Sequence, residues 1–339
     1  MATRNSHGKK RVTSYDVARV AGVSQSAVSR AFRPGLSVSD KTREKVMKAA
    51  KKLGYRPNAI ARMLITQRSG MIAVIMSSVA NHAYPELLSR ITENLSARGA
   101  RVLLFTLDKP DQQADLLEQL WTYQVDGVIA LAAHFDHEEI KQFEEHNIPV
   151  VLYNRQAPNH PANTVNVDHA QGVRQLVDLL VDTGNRNFLV LSGPTHSDVA
   201  NDRREIALDQ LRNHGFNDVP VLYGDYTYES GKRCFSEWMA EHDAPDAVIC
   251  SNDTMAIGCI DEARVHFGLD VPRKLSVVGF DGILAAFWSG YELTTVRQPV
   301  NQMARAAVDI LMERIENPDA PPEKRVLAGT LIKGKTTRD

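Results

Sequence analysis

"YDVARVAGVSQSAVSRAF", Tyr15 to Phe32, has the apolar spacing of helix, yet Gly22 interrupts it. Val17, Ala18, Val20 and Ala21 give a first apolar face, and Gly22 supplies a left-handed stop. Ser24 stands where an N-cap belongs. Val23 before it and Val28 after it have the spacing of a hydrophobic staple. Beyond the cap, Ala27, Val28, Ala31 and Phe32 share one face, and Gln25, Ser26, Ser29, Arg30 and Arg33 share the other. Two helices joined by a tight glycine turn make a helix-turn-helix. The second helix is dressed lightly, which suits close approach to a groove. Small hydroxyls come near phosphates, while Gln and Arg reach adenine and guanine edges.

A third helix follows. Ser39 is its cap, Val46, Ala50 and Leu53 its inner face, and Gly54 its stop. In "GYRPNAIARML", Pro57 ends the preceding element and Asn58 can cap a short helix over Ala59 to Leu64. Taken alone, that segment reads as a linker.

Charge separates this head from the rest. Residues 1–70 hold 16 Lys/Arg against 3 Asp/Glu, and the remainder holds 24 against 38. A basic head on an acidic body points to a polyanion met by the head alone. A solvated basic tail would carry the same charge without the ordered apolar pattern.

The stretch "SYDVARVAGVSQSAVSRAF…VSDKTREKVMKAAKKLGYRPNAIARML" closely resembles the DNA-binding head and hinge of the lactose-repressor family (LacI/GalR), and the resemblance runs through nearly the whole chain. It implies that Gln25, Ser26 and Arg30 face bases and that Tyr15, Ser24, Ser29 and Ser39 contact phosphates. Leu64 matches the hinge leucine that wedges into the minor groove and kinks the duplex. Arg33 stands where the family often has a neutral polar residue, and Pro34-Gly35 makes the next loop atypical.

From Met71 the pattern changes to short apolar runs between amphipathic helices. The runs are MIAVIM, RVLLFTL, GVIALA and PVVLYN, then FLVLSG, VPVLYGD, AVICSN and LSVVGFD. Such runs imply parallel sheets built from βαβ units, and two series imply two doubly wound lobes. Ligands of such folds sit at the carboxyl ends of strands.

The resemblance specifies more. It implies a multidomain protein: an all-α helix-turn-helix head at 1–57, a hinge helix and linker at 58–69, and an α/β two-lobed effector-binding and dimerisation domain at 70–339, similar to periplasmic sugar-binding proteins. The chain would cross between lobes three times. The first lobe takes about 70–168 and 298–330, the second about 169–297, and a helix from Met303 to Glu316 completes the first. Arg203, Asp281, Asn252 and Asn154 match the family's polar ligand contacts, while Tyr226 and Tyr84 match its aromatic ones. Ser197 is a further wall residue. Ile206 replaces a usual glycine near Arg203. Each has a plainer reading: a Tyr after a strand packs, and Asp281 caps a helix.

At 339 residues, 43% hydrophobic and 24% charged, the chain reads as an ordinary globular protein of two or three domains. No apolar run reaches the ~20 residues that span a membrane. The basic start MATRNSHGKKR leads into no apolar segment, so no signal peptide is expected. Cys234, Cys250 and Cys259 form no close-spaced pair, which fits a reducing cytoplasm. His134-x-x-His137 lacks companions at metal-binding spacing and reads as a solvated loop. No metal or cofactor is expected, and no G-x-G-x-x-G, P-loop or G-x-S-x-G occurs, so an enzyme is disfavoured.

The expected function is ligand-controlled transcription, most simply repression, by a homodimer reading a near-palindromic operator in double-stranded DNA. A sugar or sugar acid between the lobes would control operator affinity. A periplasmic binding protein explains the body but not the basic head, and a Rossmann-like enzyme explains only the sheets. The tail "GKTTRD" lacks the heptads of a tetramerising coil, which leaves a dimer as the default.

Overall fold

The computed structural model describes residues 12–32, 37–56, 68–76, 82–107, 112–131, 137–155 and 161–339. Arg33, Pro34, Gly35, the hinge helix with Leu64, and His134 lie outside the described residues. The chain divides into two compact units, one through Ser69 and one from Gly70.

In the first unit, α1 runs Ser14–Ala21. Its cap is Thr13, in a reciprocal capping box with Asp16, and Gly22 ends it at φ 66°. Helix α2 runs Gln25–Ala31, with the Ser24 hydroxyl accepting from the Ala27 amide. Helix α3 runs Asp40–Leu53, capped by Ser39 and stopped by Gly54 in the left-handed region. Val17, Ala18, Val28, Ala31, Val46, Ala49 and Ala50 form the core, with Phe32 and Tyr55 against it. Val20, expected on the inner face, is 46% exposed. Val17, Ala18 and Ala21 already fill that face, and Val20 falls about 100° per residue around from its neighbours.

The second unit holds two six-stranded sheets. The first contains β1 (Met71–Met76), β2 (Arg101–Thr106), β3 (Gly127–Ala130), β4 (Val150–Tyr153), β5 (Asn163–Val167) and β11 (Lys324–Leu327). Its order is β11-β5-β4-β3-β1-β2, every pair parallel. Helices α4 (Tyr84–Ala97), α5 (Gln113–Thr122), α6 (His137–Glu145) and α11 (Val300–Glu316) accompany it. The second sheet contains β6 (Phe188–Ser192), β7 (Val221–Tyr223), β8 (Ala247–Cys250), β9 (Ser276–Asp281), β10 (Thr294–Arg297) and β12 (Thr330–Ile332). Its order is β12-β10-β9-β8-β6-β7, with only β12 antiparallel. Its helices are α7 (His169–Asp182), α8 (Asp198–Asn213), α9 (Tyr228–Glu241) and α10 (Asp253–Val265).

Inner strands such as β3, β8 and β9 are buried throughout, because helices cover both faces of a parallel sheet. The chain passes between sheets after β5, after β10 and after β11. From Thr330 it returns to the second lobe, where Thr336 and Thr337 bond to Val277 and Thr294. Cys234, Cys250 and Cys259, distant in sequence, meet as free thiols in the second lobe's core. Burial and the neighbouring Cys259 push the Cys250 thiol well above its usual range. His137 opens α6, where a loop was expected.

Candidate functional site

On the head, Ser24 and Ser26 are exposed and their hydroxyls lie 2.9 Å apart. Tyr15 is 72% exposed, Arg30 and Ser39 are exposed, and Gln25 and Ser29 are half-buried. Two unanticipated contacts fix this face. Gln25 Nε2 donates to Ser14 Oγ at 3.4 Å, and Arg43 donates to the Ala31 carbonyl at 2.7 Å, tying α3 to the end of α2. The exposed side of α3 adds Lys41, Lys45, Lys48, Lys51 and Lys52. Exposed polar groups on α2 and exposed cations on α3 suit a polyanionic duplex.

In the second lobe, strand ends and helix starts converge. Ser197 caps α8, and its Oγ lies 2.9 Å from the Tyr226 hydroxyl. Asn252 caps α10 through Met255 N and donates from Nδ2 to the Tyr226 carbonyl at 3.1 Å. These bonds hold Tyr226 at φ 70°, a conformation its side chain does not favour. Burial raises the Tyr226 phenol, against the pull of Arg203 and Ser197.

Arg203, on α8, is 5% exposed. It donates to His169 Nδ1 at 3.2 Å, to the Ser251 carbonyl at 2.7 Å and to Asp281 Oδ1 at 3.0 Å, and it stacks 3.8 Å from the Phe280 ring centre. A guanidinium has five N–H groups, so two remain beyond these three bonds. Burial, and then the Arg203 charge, hold His169 well below the usual histidine range, so it is neutral and able to accept.

Asp281 ends β9 at φ 119°, followed by Gly282 at φ 69°. Its Oδ1 also accepts from Gln298 Nε2 at 2.7 Å. Gln298 Oε1 in turn accepts from Asn154 Nδ2 at 2.8 Å, and Asn154 Oδ1 accepts from the Val167 amide at 3.0 Å. One continuous chain thus runs from Asn154 in the first lobe through Gln298 to Asp281, Arg203 and His169 in the second. It touches the crossover at Val167–His169 and the crossover at Gln298. Beside it, Arg155 of the first lobe pairs with Asp198 of the second at 3.8 Å. Tyr153 is buried against Met303, and burial and Asp281 push its phenol far up.

Ser197, Tyr226 and Asn252 therefore form one bonded group, and Arg203 and Asp281 another, which Asn154 reaches through Gln298. Tyr84, at the start of α4, packs on an apolar cluster that includes Phe280 and Val296, while its neighbour Ala83 packs on the second lobe's core. His169, Gln298, Arg155 and Asp198 were not anticipated. A polar residue just before the proline that precedes α11 was the available signal for Gln298.

A helix-turn-helix head and a two-lobed body with a polar site at its crossovers define a DNA-binding regulator of the periplasmic-binding-protein-like class. Residues 13–58 match the bacterial regulatory proteins of the lacI family, and residues 177–337 match the periplasmic binding protein-like domain. The catabolite control protein A of Priestia megaterium is 31% identical over 304 residues, 88% of this chain and 91% of that protein. A lac repressor dimer bound to operator and the anti-inducer ONPF superposes with a TM-score of 0.87 at 30% identity, covering 97% of this chain and 100% of that one. A complex of the regulator CelR with cellobiose gives 0.74 at 29%, covering 96% and 100%. The chain belongs to the lacI family of bacterial regulatory proteins.

Proposed function

We propose that the chain is an operator-binding transcriptional repressor that works as a homodimer in the cytoplasm and is controlled by a sugar or sugar acid bound between its lobes. Gln25, Ser26 and Arg30 read bases. Tyr15, Ser24, Ser29 and Ser39 hold phosphates, and Leu64 of the hinge enters the minor groove. Tyr84, Asn154, Ser197, Arg203, Tyr226, Asn252 and Asp281 contact the effector.

The observation that carries this reading is the Arg203–Asp281 pair, bonded through His169 and Gln298 to two crossovers. A ligand whose hydroxyls engage that pair acts on groups tied to the points about which the lobes move. The ligand shifts operator affinity only by its preference for one lobe arrangement. The operator-bound lac repressor dimer and the cellobiose complex of CelR support the partner and ligand classes. The lobes perform no chemistry in this reading.

The test is enrichment of a random duplex pool on the full-length protein, followed by titration of the winner at two salt concentrations. Selective binding that weakens steeply with salt is expected. Failure to enrich any sequence refutes the reading.

A further inference from the structure

Asp253 is fully buried at the start of α10, one residue past the cap Asn252. Its carboxylate spans three parts of the second lobe. Oδ2 accepts from the Ile283 amide at 2.8 Å, Oδ1 accepts from the Thr295 hydroxyl at 2.5 Å, and the Gly282 amide also faces it. A side chain at Gly279 would collide with Oδ1, so β9 lies directly against the carboxylate. Asp253 therefore grips the chain immediately after Asp281, where φ is 119° and then 69°. Such backbone persists only where the surroundings over-determine it.

The gripped turn leads outward. Ile283 caps the 3-10 turn Leu284–Phe287, anchored by buried Ala286. Leu284 is 75% exposed and Trp288 is 57% exposed. Two residues thus separate the buried Asp281 carboxylate from an apolar surface segment.

We propose that Asp253 is a positioning residue that couples the charge state at Asp281 to the surface segment Leu284–Trp288. The link to an effector rests on the reading that Asp281 faces one; the coupling itself does not. An ionised Asp253 accepts from both amides and the hydroxyl. A protonated Asp253 gives up part of that acceptance and loosens the turn. Asp281 on β9 sets the balance, because a second negative charge nearby disfavours ionisation of the first. Cys250 on β8 also feels the Asp253 charge, Arg297 lies beside Gly282, and Arg203 is paired with Asp281. Burial first, and then Asp281, raise the Asp253 carboxyl to about 7.

The test uses full-length protein carrying 5-fluorotryptophan, with the Trp288 resonance assigned by its loss in Trp288→Phe. The Trp288 resonance should shift with a midpoint near pH 7. Asp281→Asn should move that midpoint down, and Asp253→Asn should abolish it. Thr295→Val, which removes one hydrogen bond to the ionised form, should move it up and stands in if Asp253→Asn does not fold. The Trp121 and Trp238 resonances, from rings stacked on His146 and His242, should be the same in wild type and Asp253→Asn. A flat wild-type Trp288 resonance, an unchanged titration in Asp253→Asn or Thr295→Val, or an unmoved midpoint in Asp281→Asn overturns the proposal. None of these outcomes bears on whether a sugar binds.

Discussion

Gln298 donates to Asp281 at 2.7 Å from the amide whose oxygen accepts from Asn154 at 2.8 Å, so one side chain bonds residues of both lobes. Gln298 is 9% exposed and lies on a crossover, where relative movement of the lobes must pass. Replacing it with leucine removes both bonds and leaves the Asn154 amide without that acceptor. Buried groups so orphaned cost about 1–3 kcal/mol each. Gln298→Leu is expected to lower the urea midpoint with little change in slope. An unchanged midpoint would show that this bridge contributes nothing.

Asp281→Asn keeps the shape of the site and removes the carboxylate opposite Arg203. A hydrogen bond to a charged group contributes about 1.5–3 kcal/mol, roughly ten- to a hundredfold in affinity. Effector affinity should fall by that range, while the ligand-free protein still binds operator. Calorimetry and DNA anisotropy on one preparation separate the two, since a damaged fold loses both.

Much of this site escapes local reading, for a physical reason. The caps Ser24 and Ser39 act over three residues, and their helices could be read directly. Arg203 and Asp281 are 78 residues apart, and no periodicity joins them. Only resemblance to a family placed them in one cleft, and it did not reach Gln298 or His169. The eight apolar runs all became strands, whereas β5, β10, β11 and β12 were missed. "NTVNV" and "TTVR" mix polar and β-branched residues, and their burial comes from the neighbouring strands rather than from their own composition.

His169 gives a pH signature. Its folded-state pKa lies well below the usual 6.5, so below that value the unfolded chain binds a proton that the folded chain resists. Its contribution to stability is present above about pH 6.5 and is lost as pH falls. Asp253, with its raised pKa, acts oppositely, favouring the folded state as pH falls from about 7, and does so equally in a His169 variant. His169→Gln should therefore lose less stability than wild type between about pH 7.5 and about pH 5.5. Urea midpoints at both pH values decide it; equal losses would contradict the neutral buried imidazole.

Arg30 and Ser39 should separate specificity from affinity. Arg30→Ala is expected to relax base preference at one operator position by about 1–3 kcal/mol. Ser39→Ala should weaken binding to all sequences alike, because phosphates carry no sequence information. Competition across single-base operator variants distinguishes these patterns.

Control of the head by the site around Arg203 and Asp281 is read as affinity for the enriched operator duplex, measured across a panel of sugars, sugar acids and polyols in wild type and Asp281→Asn. At least one compound should change wild-type affinity by about tenfold or more, an allosteric coupling of about 1.4 kcal/mol, and the change should vanish in Asp281→Asn. A panel that leaves wild-type affinity unmoved, or an effect that persists undiminished in Asp281→Asn, would contradict it.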